Sequence, residues 1–190
     1  MASLSMSNKA WYDKAFISVA QLGGNEVQLT AKTNSMSLPQ AGIGFESIEV
    51  FEGKISRPGT REDMEISFDG VPTNVQDFDW IFHGTSNTAT SITSTSLKKY
   101  RITVLWTNQT GITSATQAID TASEAYRHIY ANAYCTGLEY NMDAGEHLTA
   151  TLTFTLAPED ETGGQNYKKE ACDTSSALSA VPAYTTTTKF

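Results

Sequence analysis

Residues 148–156 read Leu-Thr-Ala-Thr-Leu-Thr-Phe-Thr-Leu, with an apolar side chain at each even position and threonine at each odd one. Successive side chains of a strand point to opposite faces, so this segment has one apolar face and one hydroxyl face. Helical spacing cannot sort the same residues that way. Threonine is β-branched, which favours the extended chain. Such a strand needs a packed layer on its apolar side and accepts water, or a neighbouring subunit, on the other.

The pattern recurs. Met64, Ile66 and Phe68 alternate with Glu65, Ser67 and Asp69, and Tyr100, Ile102, Val104 and Trp106 alternate with Arg101, Thr103, Leu105 and Thr107. Ile129, Ala131, Ala133 and Cys135 alternate with Tyr130, Asn132, Tyr134 and Thr136. Weaker strand signals cover 16–20, 27–38 and 48–55. Gly23, Gly24 and Asn25 suit a short hairpin loop between the first two, because Gly and Asn accept positive φ. Many strands separated by turn residues predict a mainly β domain, an antiparallel sandwich or barrel.

One flanking helix is expected. Thr73 and Gln76 fit a capping box, Phe78, Ile81 and Phe82 follow on one face, and Gly84 ends the run. Residues 115–126 read as helical or irregular, and 85–96 as an exposed polar loop. Residues 37–45, broken by Pro39 and two glycines, read as another loop. Leu38, Ile43 and Phe45 make that loop too apolar for water, so they are candidates for contact with an adjacent subunit.

A chain of 190 residues can build one domain with a real core. The expected division is an N-terminal arm at 1–13, a β domain at 14–158 and a C-terminal arm at 159–190. The strand pattern stops after Pro158, and Gly163 and Gly164 read as a hinge. The tail beyond them lacks the apolar content for a core of its own and either stays disordered or orders on a neighbour. Val181 and Tyr184 in the tail, and Trp11 in the N-terminal arm, complete the candidates for subunit contact. An extended tail can add to a sheet edge through main-chain hydrogen bonds.

The net charge of −8 argues against a dedicated nucleic-acid-binding surface, since that binding depends on Lys and Arg displacing counterions from phosphate. Residues 1–13 lack the apolar segment of a secretory leader, and no run approaches the roughly 20 apolar residues of a membrane span. Synthesis in a cytoplasm is therefore expected.

Residues with catalytic chemistry are sparse. His83, His128 and His147 lie far apart, without His or Cys at metal-ligand spacing. His128 and Cys135 are seven positions apart, which on an unbroken strand places them on opposite faces. Gly42 and Gly44 lack the third glycine of a phosphate cradle. Glu159, Asp160 and Glu161 lack EF-hand spacing and read as a solvated acidic turn. Cys135 and Cys172 form no disulfide framework, and Cys135 reads as a small buried hydrophobe. No catalytic residue, metal or cofactor is expected. Tyr130 and Tyr134, two steps apart in period two, are expected to serve cross-strand packing, with a stacking platform for sugars or bases as the alternative use.

A threonine-rich β domain with two arms and no catalytic constellation looks built to associate. The chain resembles the tail tube proteins of tailed bacteriophages and tailed archaeal viruses. The resemblance runs through 53–58 (Gly-Lys-Ile-Ser-Arg-Pro) into 62–70 (Glu-Asp-Met-Glu-Ile-Ser-Phe-Asp-Gly), then the helix-like 78–84 and the strand at 101–106. It continues through 134–156 and a C-terminal arm opening at 167–170 (Tyr-Lys-Lys-Glu).

That resemblance implies two packed antiparallel sheets with a flanking helix. It implies six copies closed into a ring, with rings stacked as a tube through which double-stranded DNA leaves without being held. Other tail proteins (terminator, baseplate or tip, sheath) would be the partners, and the virion tail the location. An acidic lumen would repel phosphate and let DNA slide. The alternative is a β-sandwich binding module, a fibre or carbohydrate-binding domain using Tyr130, Tyr134 and Trp106.

Overall fold

The structure, a computed structural model, describes residues 15–24, 26–29, 33–39, 45–50, 53–58, 63–72, 81, 98–121, 123–157, 159–160, 162–172 and 175–185. Of 33–34, 45–50 and 53–58 only the backbone is described. Ten strands follow in chain order: β1 Ala15–Gln21, β2 Glu26–Gln28, β3 Thr33–Ser37, β4 Phe45–Val50, β5 Gly53–Pro58, β6 Met64–Gly70, β7 Tyr100–Thr107, β8 Ala125–Asn141, β9 Thr149–Leu156 and β10 Tyr167–Cys172.

Eight of them form one antiparallel sheet in the order β2-β1-β7-β8-β9-β6-β3, with β10 also paired to β8, while β4 and β5 pair separately. The fold is therefore mainly β and antiparallel, as the alternation requires. β1 and β2 form the expected hairpin, with Ala20 opposite Glu26 and Gly23 at φ 71°. Two single-strand readings are corrected. Residues 48–50 and 53–55 lie on two paired strands, in which Ile48 faces Ile55 and Val50 faces Gly53. Residues 27–38 supply two strands, β2 on β1 and β3 on β6. Runs of apolar alternation say nothing about where a chain reverses.

β8, 17 residues long, joins two leaves. Its first half pairs with β7 and β10, and 134–141 pair with β9. The core lies between the leaves. It takes Ile17, Val19, Ile102, Val104 and Tyr130 from the first and Met64, Ile66, Phe68, Leu152 and Phe154 from the second. Tyr100 and Phe154 meet edge to face across it at 6.1 Å, and Phe154 meets Phe68 at the same distance. Cys135 belongs to this core and is buried, as expected.

The expected helix lies outside the described residues except Ile81. That residue is helical and fully buried, and its carbonyl accepts a hydrogen bond from the Tyr100 hydroxyl at 2.9 Å. Loop 85–96 and the N-terminal arm also lie outside them. Residues 115–121 are irregular, a turn followed by a bridge from Ile119 to Leu178.

Candidate functional site

The two leaves share a core but present opposite outer faces. On the second leaf the register sets Glu65 beside Thr155 and Tyr134, Ser67 beside Thr153, and Asp69 beside Thr151 and Glu139. Ser35 and Ser37 of β3 extend the rows. Hydroxyls predominate, with three exposed carboxylates, Glu65, Asp69 and Glu139. β3, β6, β9 and 134–141 contain no Lys or Arg. The Ser35 and Thr151 hydroxyls donate to the two Asp69 oxygens at 2.7 Å each, and these bonds hold the carboxyl below its ordinary range. The Thr136 and Thr155 hydroxyls pair at 3.0 Å. This face keeps its negative charge and is already cross-linked by its own side chains.

The outer face of the first leaf is covered. Arg101, Thr103, Leu105 and Thr107 alternate with core residues along β7, yet all four are buried. The cover is residues 112–119 and a strap at 175–185, which fold over β1, β7 and β8. Leu105, Ala115, Ile119, Ala125, Cys172 and Leu178 form one small apolar cluster, and Ala20, Ala131 and Tyr184 form another. Ile119 and Leu178 exchange main-chain hydrogen bonds at 2.9 Å, and the Val181 amide donates to the Thr116 carbonyl at 2.8 Å. The Gly23 amide donates to the Tyr184 carbonyl at 2.8 Å. Arg127, 1 % exposed, donates to Glu170 through Nε at 2.8 Å and to the carbonyls of Gln117 and Ser179. Burial raises the Glu170 carboxyl, but bonds from Lys168 and Arg127 outweigh it and hold the group low.

The expected C-terminal arm is thus largely integrated into its own chain. β10 pairs with β8 from Tyr167–Tyr130 to Cys172–Ala125. Gly163 and Gly164 form a closed turn, not a hinge. Gly163 has φ 79°, and Asp160 Oδ1 accepts from the amides of Thr162 and Gly164. A tethered segment meets its own sheet at high effective concentration before it meets a neighbour. Of the subunit-contact candidates, Tyr184 is 2 % exposed within its own chain, Val181 is half-buried, and Leu38 packs against its own core. Trp11, Ile43 and the Phe45 side chain lie outside what is described.

A bulge reorganises the remaining candidates. Between Tyr100 and Ile102 the β7–β8 register slips, and Asn132 takes φ 56°, a left-handed conformation that Asn tolerates better than most residues. Before it, Tyr126, His128 and Tyr130 point coreward; after it, Ala133 and Cys135 do. Tyr130 is therefore 1 % exposed in the core, whereas Tyr134 stands on the outer face of the second leaf at 38 %. The alternative two-tyrosine platform does not form. His128 and Cys135 share the core side, against the parity reading.

His128 sits in an aromatic row with Trp106, Tyr126 and Tyr130, and its Nδ1 lies 2.9 Å from the Tyr130 hydroxyl. Burial and then Lys169 push its imidazole down to about 4. Burial raises Tyr130 to about 12 and the Cys135 thiol to about 12, so neither offers a nucleophile at neutral pH. Among the described residues no three His, Cys, Asp or Glu side chains gather as metal ligands. The sequence offered signals for the bulge and the covered face, Asn132 in mid-strand and Arg101 amid apolar neighbours, but neither stands out before the fold is known.

The fold recurs in components of contractile injection particles. The chain is 16% identical to a chain of the PVC sheath/tube terminator of an extracellular contractile injection system in the extended state. That match covers 90% of this chain and 98% of the other, at a TM-score of 0.51. A chain of the PVC sheath-tube complex matches at 18% identity over 89% and 99%, TM-score 0.50. A chain of the anti-feeding prophage baseplate matches at 8% identity over 92% and 99%, TM-score 0.51. No family model matches the sequence, and no curated protein matches it. At these identities the likeness is one of fold: the chain has the fold of tube-related structural components.

Proposed function

We propose that this protein is the tail tube subunit of a phage-like particle, a structural protein rather than an enzyme. Six copies close a ring and rings stack into a tube, with the outer face of the second leaf turned to the lumen. One observation carries the reading: that face is exposed, rich in hydroxyls, and bears Glu65, Asp69 and Glu139 without a cation on its strands. Phosphate is repelled by such a wall, and hydroxyls already engaged with Asp69 and with one another offer a passing duplex no fixed partner. The similarity in fold to tube-related components supports the same reading. Its partners are further copies of itself and the terminator, baseplate or sheath proteins of the particle. Double-stranded DNA is the cargo, the virion tail is the location, and the host cytoplasm is the place of synthesis. Trp11, Ile43 and Phe45 are proposed as subunit contacts.

The test is electron microscopy of the purified chain together with a Thr153→Cys variant. Tubes are expected, and a bulky maleimide should label Thr153→Cys in the free subunit but be shielded along assembled tubes. Equal labelling of tube and subunit would place the hydroxyl face outside and remove the lumen assignment. Particles no larger than a monomer at every concentration would remove the tube.

A further inference from the structure

Arg101 is 1 % exposed, and none of its three guanidinium nitrogens has a hydrogen-bond partner among the described residues. A guanidinium carries five N–H donors and keeps its charge in proteins. Buried cations are ordinarily paired. Arg127, on the same covered face, is satisfied by Glu170 and two carbonyls. Arg101 instead lies under the Tyr184 ring, its Cζ 5.4 Å from the centroid. That contact replaces some hydration but supplies no hydrogen bond. The charge that most favours protonated Arg101 is Glu26, whose Oε1 already accepts from Ser114, Thr116 and Gln28.

Tyr184 is one of only two buried anchors of the strap, Leu178 being the other. Its hydroxyl donates to Asn132 Oδ1 at 3.0 Å. Beside it opens a cleft of about 390 Å³ bordered by Lys99, Asn132, Tyr134, Glu159, Asp160 and Asn166. The closed strap therefore holds a desolvated cation without hydrogen-bond partners under a cover that buries two side chains and is otherwise held by hydrogen bonds at Leu178, Ser179, Val181 and Tyr184.

We propose that the strap at 175–185 is a displaceable cover, and that a second copy of this chain takes its place on the first leaf and presents a carboxylate to Arg101. This rests on the self-associating reading above. Charge complementarity selects the occupant. The chain carries 21 Asp and Glu against 13 Lys and Arg, while the covered face holds a cation to which no carboxylate among the described residues is hydrogen-bonded. Lifting Tyr184 rehydrates Arg101, and docking then pairs it, so the residue that weakens the closed monomer strengthens the assembly.

Arg101→Met in the full-length chain tests this, since Met keeps much of the length without the charge. The expected results are a higher thermal midpoint, amide exchange at Leu178 and Val181 slowed about tenfold, and a several-fold higher concentration threshold for tubes. Tyr184→Ala should do the opposite at Leu178, with faster exchange, and should lower the threshold. An Arg101→Met chain that is less stable, or whose strap exchanges as fast as the parent, overturns the proposal, because the arginine is then an ordinary structural group. Slower exchange with an unchanged threshold overturns the pairing with a second copy. A parent chain that never assembles overturns the tube reading as well, whereas failure in exchange alone overturns only the cover.

Discussion

β7 and β9 carry the same period-two alternation, yet their second faces end in different surroundings. On β9 the odd-numbered threonines look outward beside Glu65, Asp69 and Glu139. On β7 the corresponding positions, Arg101 to Thr107, are sealed under 112–119 and the strap. The apolar half of each pattern met the same core. The polar half was decided by what else the chain laid over it. A polar face is thus a permissive signal: it tolerates water, but with hydrogen-bonding cover it tolerates burial too.

The largest effect should separate the two faces of one strand. Phe154→Ala removes a fully buried ring and should cost about 3–5 kcal/mol. Thr153→Ala, one residue away on the hydroxyl face, should cost less than about 0.5–1 kcal/mol. Urea titration of both checks this, and similar losses would mean that the hydroxyl face is buried.

On the covered face, Glu170→Gln leaves Arg127 without its carboxylate but with two carbonyl partners. A loss of about 2–3 kcal/mol is expected, below that of a wholly stranded buried charge. A loss under about 0.5 kcal/mol in thermal unfolding would show that water reaches the pair and that the cover is loose.

His128 gives a pH handle on the core side. The unfolded imidazole takes up its proton near 6.5, the folded one near 4. The unfolded chain therefore binds more protons in that window, and stability falls as pH drops through it. Because the residue is only partly buried, the contribution should be about 1–2 kcal/mol, less than the full shift implies. His128→Phe should flatten the fall between those pH values. The part that persists should lie at lower pH, where Asp69 and Glu170, both held low, lose their charge.

The smallest effect belongs to the open face. Replacing Thr136 and Thr155 with valine deletes one exposed hydroxyl pair and should change stability by less than about 1 kcal/mol. Paired with Glu170→Gln, it measures how far side-chain bonds depend on cover.

Much of the fold was legible in the residues. Alternation at 64–69, 100–107 and 149–156 named three strands and which of their residues enter the core, because a strand's side-chain period is set by covalent geometry alone. The Gly23–Gly24 turn was legible for the same local reason. The hydroxyl face was legible as a composition, threonine by threonine, and so was the lack of cations on those strands. What failed were readings that crossed a break in regularity. Residues 48–55 hid a reversal, 27–38 hid two strands, and the Asn132 bulge exchanged the faces of β8, sending Tyr130 inward and Tyr134 outward.

Residue identity by itself determined that this chain is β-rich, which alternate residues seek a core, and that 148–156 would carry a face of hydroxyls. Only the tertiary structure decided that 175–185 returns to its own first leaf, that Arg101 is enclosed beneath Tyr184, and that β8 serves both leaves. The physical reason is range. Periodicity records each residue's relation to its immediate neighbours, whereas the cover, the enclosed cation and the change of leaf arise from contacts between segments distant in the chain. Arg101 and Tyr184, or Arg127 and Glu170, meet only after loop closure, and no local pattern encodes such closures.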